Sequence, residues 1–153
     1  RWLFRLTAGR IAPGPGAAEV REREMIARLK TPIRGCRKVA FVSRKGGVGK
    51  TSTCLLAGHT FAAYRGDRVV ALDGNPDAGT LGHRVRRETS ATVTTLLSDQ
   101  SRIDRYADIR AYTSQAPTRL EVVAADDDPR RTIAFPDFSA SAAASIVTFG
   151  RAS

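Results

Sequence analysis

The decapeptide SRKGGVGKTS, residues 43–52, constrains this chain more than any other segment. It follows the apolar run VAFV and leads into KTSTCLLAGHTFAAYRG, where Cys54, Gly58, Phe61 and Ala62 recur at helical spacing. Glycines let a backbone turn tightly and aim successive N–H groups at one anion. A helix starting at the same point adds the positive end of its dipole. In this reading Gly46, Gly47, Val48 and Gly49 form a phosphate cradle that ends at Ser52. Lys50 meets the β- and γ-phosphates, and the Thr51 hydroxyl takes Mg²⁺. A merely glycine-rich turn would not need Lys-Thr in register between a strand and a helix.

The flanking segments extend the pattern. KVAFVS (38–43) and RVVALD (68–73) read as buried strands, so strand, helix and strand form a βαβ crossover with an adjacent, right-handed parallel pair. LEVVAA reads as a third core strand and DIRAYTS as extended. ATVTTLLSD reads as a short helix with Ser90 as its cap, and AAEVREREMIARLK as a helix ended by Pro32. The expected fold class is α/β: a partial P-loop NTPase with a mostly parallel sheet flanked by helices, incomplete at the C-terminus. Three regions are expected. A basic arm (1–18) is broken at APGPG, the P-loop domain covers 19–133, and 134–153 is a poorly specified Ser/Ala-rich tail. In that tail SIVTF has strand composition but ends in glycine and arginine. The abrupt change of character near Thr132–Phe135 fits a shifted reading frame.

Charge is uneven. Of the net +10, most lies in residues 1–44, which hold 11 Lys/Arg against 3 Asp/Glu. Such a segment suits an acidic partner, a nucleic-acid backbone or an anionic membrane surface, or is simply a solvated arm. No apolar run is long enough to cross a bilayer, and RWLFRLTAGRIAPGPG lacks the continuous apolar stretch of a signal peptide. Cys36 and Cys54 have neither metal-ligand nor redox-motif spacing. A cytoplasmic location is the expectation.

The loop departs from the usual G-x-x-x-x-G-K-[ST] pattern. Arg44 stands in the first glycine's place, and a second lysine, Lys45, precedes the glycine pair. This resembles the deviant Walker A loop of the ParA/MinD family of ATPases. The resemblance implies Mg²⁺ and ATP as cofactors, with Lys45 reaching phosphate across a nucleotide-sandwich homodimer. It also implies a capacity for nonspecific DNA binding. VVALDGNPDAGTLG stands where that family has its D-x-D-P switch, so Asp73 would contact the Mg²⁺ shell through water. Asn75 takes the second acidic place. An amide can hold a water but cannot take its proton, and no apolar strand ending in an acidic residue follows. Two readings stay open: an ATPase in which Lys45, Lys50, Asp73 and Asn75 serve catalysis, and a non-hydrolysing adaptor acting through its basic N-terminal segment. With RLEVVAADDDP and the N-terminal segments added, the arrangement is similar to ParA/MinD-like proteins associated with type VII (ESX) secretion. That likeness implies a partner in the secretion machinery.

Overall fold

The computed structural model describes residues 14–43, 45–74, 79–126 and 143–150, the last segment by backbone alone except at Ile146–Thr148. The chain divides into two units, residues 1–31 and 32–153. The first holds helix α1, Ala17–Leu29, which buries none of its residues. Its Arg23 meets Glu19 at 2.6 Å, one turn away and exposed, a pair worth a few tenths of a kcal/mol.

The second unit is an α/β sandwich of sheet and helix. In chain order it runs β1 (Arg37–Ser43), α2 (Lys50–Tyr64), β2 (Arg68–Asp73), α3 (Val93–Ser98), α4 (Tyr106–Arg110), β3 (Ser114–Gln115), β4 (Glu121–Val123) and β5 (Ala143–Gly150). Among the described residues the strands form one sheet of order β1-β5-β2-β4-β3. β2 and β4 pair in parallel, with Ala71 beside Val122. β5 runs antiparallel to both of its neighbours, with Val147 between Val39 and Ala71.

The α/β class therefore holds, but the sheet is mixed rather than mostly parallel, with β2–β4 parallel and the other three described pairings antiparallel, and the expected strand neighbours change. β1 and β2 point the same way but are not paired, because β5 occupies the place between them. The crossover through α2 spans two strand widths and leaves β1 at the sheet edge. This corrects the expectation of a buried first strand: Val39 and Val42 are 37% and 50% exposed, and Phe41 is the β1 residue that packs on the core among the described residues. An edge strand bearing Arg37 and Lys38 is a protected edge, since charged side chains discourage pairing with another chain.

The core lies between α2 and one sheet face. α2 contributes Cys54, Leu55 and Ala62, the sheet contributes Val69, Ala71, Val122 and Val147, and Leu120 joins them from just before β4. β2 alternates as its period of two requires, burying Val69, Ala71 and Asp73 on the same side. Gly58 lets α2 lie close to the sheet, because a Cβ there would stand 2.9 Å from Leu120 Cδ1.

Two local expectations change as well. The cap of α3 is Thr92, not Ser90: its hydroxyl accepts from Thr95 N while Thr95 Oγ1 accepts from Thr92 N, a reciprocal capping box. DIRAYTS is not extended throughout; it begins inside α4 and reaches strand only at Ser114. The Asp108 carboxylate accepts from the N–H groups of Asp104 and Arg105 at the start of α4. Those bonds hold its carboxyl below the usual range. On the opposite side of the sheet, buried Glu121 accepts from the hydroxyls of Tyr106 and Thr113, and Arg68 lies over the Tyr106 ring. Local pattern could not foresee these partners, which are up to 15 residues from Glu121 in sequence.

Candidate functional site

The loop after β1 is built as the glycine spacing predicts. Gly47 and Gly49 have φ of +74° and +89°. A side chain at either would put its residue in the left-handed region, at roughly 1–2 kcal/mol each. Ser43, the last residue of β1, braces the turn: its hydroxyl accepts from Lys45 N at 3.2 Å and lies 3.3 Å from Lys45 O. Gly49 then caps α2 without a side chain. The first helical bond runs from Thr53 N to Gly49 O at 2.8 Å, and the Thr53 hydroxyl donates to the same oxygen at 2.9 Å.

Seven N–H groups precede that first bond. Among the described residues, those of Gly46 through Ser52 have no backbone or side-chain acceptor. A row of this kind at a helix start favours an anion by its own partial charge. Among the described residues nothing stands within 4 Å of where a Cβ would be at Gly46, Gly47 or Gly49. No acidic residue lies in the first turn of α2 to compete for it. Lys50 folds its Nζ back to Lys45 O at 3.3 Å, an exposed bond that an incoming anion can replace. The donors, the cation and the open space fit a polyphosphate.

The predicted cation ligands are placed unequally. Thr51 Oγ1 is half-buried and 3.1 Å from Thr80 Oγ1. Asp73, at the end of β2, is 2% exposed, and its Oδ2 accepts from Leu81 N at 2.8 Å. One carboxylate oxygen thus holds the 79–82 turn. A Cβ on Gly79 would collide with that carboxylate, and one on Gly82 would stand 2.6 Å from Ala124 Cβ. Among the described residues no cluster of three His, Cys, Asp or Glu could hold a metal. The site fits a cation shared between a hydroxyl and phosphate oxygens, as Mg²⁺ prefers. Asn75 and Arg44 lie outside the described residues. Thr80 was not singled out in the sequence, because a threonine in a loop 29 residues from Thr51 has no pattern of its own.

Cys54, one turn beyond Lys50, is fully buried, and its thiol is pushed up to about 12, first by burial and then by the Asp73 charge. Since the thiolate is the reactive form, Cys54 is expected to resist a thiol reagent near neutral pH while exposed Cys36 reacts. Mass spectrometry of the labelled chain before and after denaturation checks this. Early labelling of Cys54 would show that α2 opens. The Nδ1 of His59 pairs with Thr118 Oγ1 at 2.6 Å.

Residues 39–140 match the model of the CobQ/CobB/MinD/ParA nucleotide binding domain. Over 126 residues the chain is 40% identical to the ESX-1 secretion-associated protein EspI of Mycobacterium tuberculosis, in strains CDC 1551 / Oshkosh and ATCC 25618 / H37Rv alike. The alignment takes in 82% of this chain and 18% of that protein. No solved structure matches the chain significantly. Among the described residues no helix is long and apolar enough to cross a membrane. The family match takes in most of β1 together with the loop, α2 and β2, and this chain belongs to the CobQ/CobB/MinD/ParA nucleotide-binding domain family.

Proposed function

We propose that the chain binds ATP with Mg²⁺ through residues 45–52 and serves as a nucleotide-holding domain in a protein that works with type VII secretion. The observation that carries this reading is the row of N–H groups that find no acceptor among the described residues, in a glycine turn at the start of a 15-residue helix. The backbone of Gly46–Gly49 cradles phosphate, Lys50 exchanges its bond to Lys45 O for phosphate oxygen, and the Thr51 hydroxyl faces the cation. Bound Mg²⁺ would neutralise phosphate charge. Lys45 is exposed and adds a second cation at the mouth of the loop. In the role that the family resemblance gives it, Lys45 reaches the nucleotide of a second copy.

Holding, rather than turnover, is favoured by the residues that β5 sets beside the ends of β1 and β2. β5 places Ala143 beside Ser43 and Ser145 beside Asp73. Neither residue is an acid that could order a metal or take a proton from water. Asp73 commits an oxygen to Leu81 N. The secretion role follows from the likeness to EspI and is a proposal for this chain, which spans only a fraction of that protein.

Titration with a fluorescent N-methylanthraniloyl derivative of ATP, with and without Mg²⁺, tests the binding. Phosphate release measured on the same sample tests turnover. Saturable, Mg²⁺-enhanced binding with release no faster than the buffer blank is the expected outcome. Absence of binding rejects the reading, and steady release rejects its non-hydrolysing half.

A further inference from the structure

We propose that Thr80 is a positioning residue for the cation site, acting through the hydroxyl of Thr51. The inference rests on the reading of residues 45–52 as a polyphosphate loop and deepens it. Thr51 Oγ1 and Thr80 Oγ1 are 3.1 Å apart, and either could donate. A hydroxyl has one proton and two lone pairs. When a lone pair of Thr51 faces a cation, its proton must point away, and Thr80 Oγ1 is the acceptor in place to receive it. That contact would fix the rotamer of Thr51 and aim its lone pair, as outer partners of metal ligands do.

The turn that carries Thr80 is held from three directions. Leu81 N donates to the buried carboxylate of Asp73 at 2.8 Å. Gly79 lies so close to that carboxylate and to Ala125 Cβ that a side chain there has no room, and Gly82 lies equally close to Ala124. Gly79, Leu81 and Gly82 are buried while Thr80 alone of the four is exposed. The turn therefore behaves as a clamp between the ends of β2 and β4, with the Thr80 hydroxyl as its one outward group. Asp73 then acts on the cation site indirectly, by anchoring the turn, and Thr80 is the link.

The test is a Mg²⁺ titration of the full chain with the fluorescent ATP derivative, compared with binding in EDTA. Thr80→Val keeps the shape and removes the acceptor; Thr80→Ser keeps the acceptor. The Mg²⁺ midpoint is expected to rise by about 10-fold or more in Thr80→Val and to stay near wild type in Thr80→Ser. Affinity in EDTA should be the same in all three. The inference is overturned if Thr80→Val keeps the wild-type midpoint, if both variants lose equally, or if the loss persists in EDTA. A wild-type chain that binds no nucleotide overturns this inference and the loop reading together. A wild-type chain that binds, with an unaltered Thr80→Val, overturns this inference alone.

Discussion

Lys50→Ala is expected to weaken binding of the Mg²⁺–ATP derivative by roughly 10- to 150-fold while leaving the unfolding midpoint where it is. The first half follows from the strength of a charge-assisted hydrogen bond, about 1.5–3 kcal/mol net. The second half follows from the present partner of Lys50. Its Nζ meets Lys45 O at 3.3 Å on the exposed loop, a contact too weak and too wet to hold the fold together. The same titration on wild type and variant, with a thermal melt of each, separates the two effects. Equal affinity in both proteins would remove the loop from any functional account. A lower midpoint in the variant would instead give Lys50 a structural task.

Leu120→Ala is expected to cost the most stability, about 2–5 kcal/mol. Leu120 is fully buried where α2 crosses the sheet, with its methyls against Gly58. Domains are stable by only about 5–15 kcal/mol, so the unfolding temperature should fall by roughly 4–20 °C. The close approach adds a sharper check. Gly58→Ala alone must push Leu120 aside, but in the Leu120→Ala background the new methyl enters the vacated space. It also removes a helix-interior glycine, which is worth about 1 kcal/mol. The double variant should therefore be more stable than Leu120→Ala alone by denaturant titration. Strict additivity of the two changes would show that α2 and the sheet do not meet there as described.

The two variants probe different levels of the same design. Leu120 and Gly58 fix the height of α2 above the sheet, and thereby where its first turn lies relative to the end of β2. Lys50 and Thr51 occupy that first turn. Loss of core packing should consequently loosen the cation site as well, whereas loss of Lys50 should leave the core unaltered.

What the sequence determined by itself is the part whose physics is local. The glycines at 46, 47 and 49, the Lys-Thr after them, the short apolar run of RVVALD and the helical spacing of KTSTCLLAGHTFAAY each depend on neighbours within a few residues. The loop, α2 and β2 are accordingly found where they were expected. Only the tertiary structure decided which strands became neighbours. KVAFVS has the composition of a buried strand, yet it ends at the sheet edge because SIVTF, about a hundred residues away, pairs between it and RVVALD. Hydrophobic composition says that a strand needs cover; it does not say from which side or from which partner. The fate of Asp73 and the meeting of Thr51 with Thr80 are of the same kind. A carboxylate or hydroxyl takes whichever donor the packed chain brings within 3 Å, and that choice is made by the sheet and the turn, not by spacing along the chain.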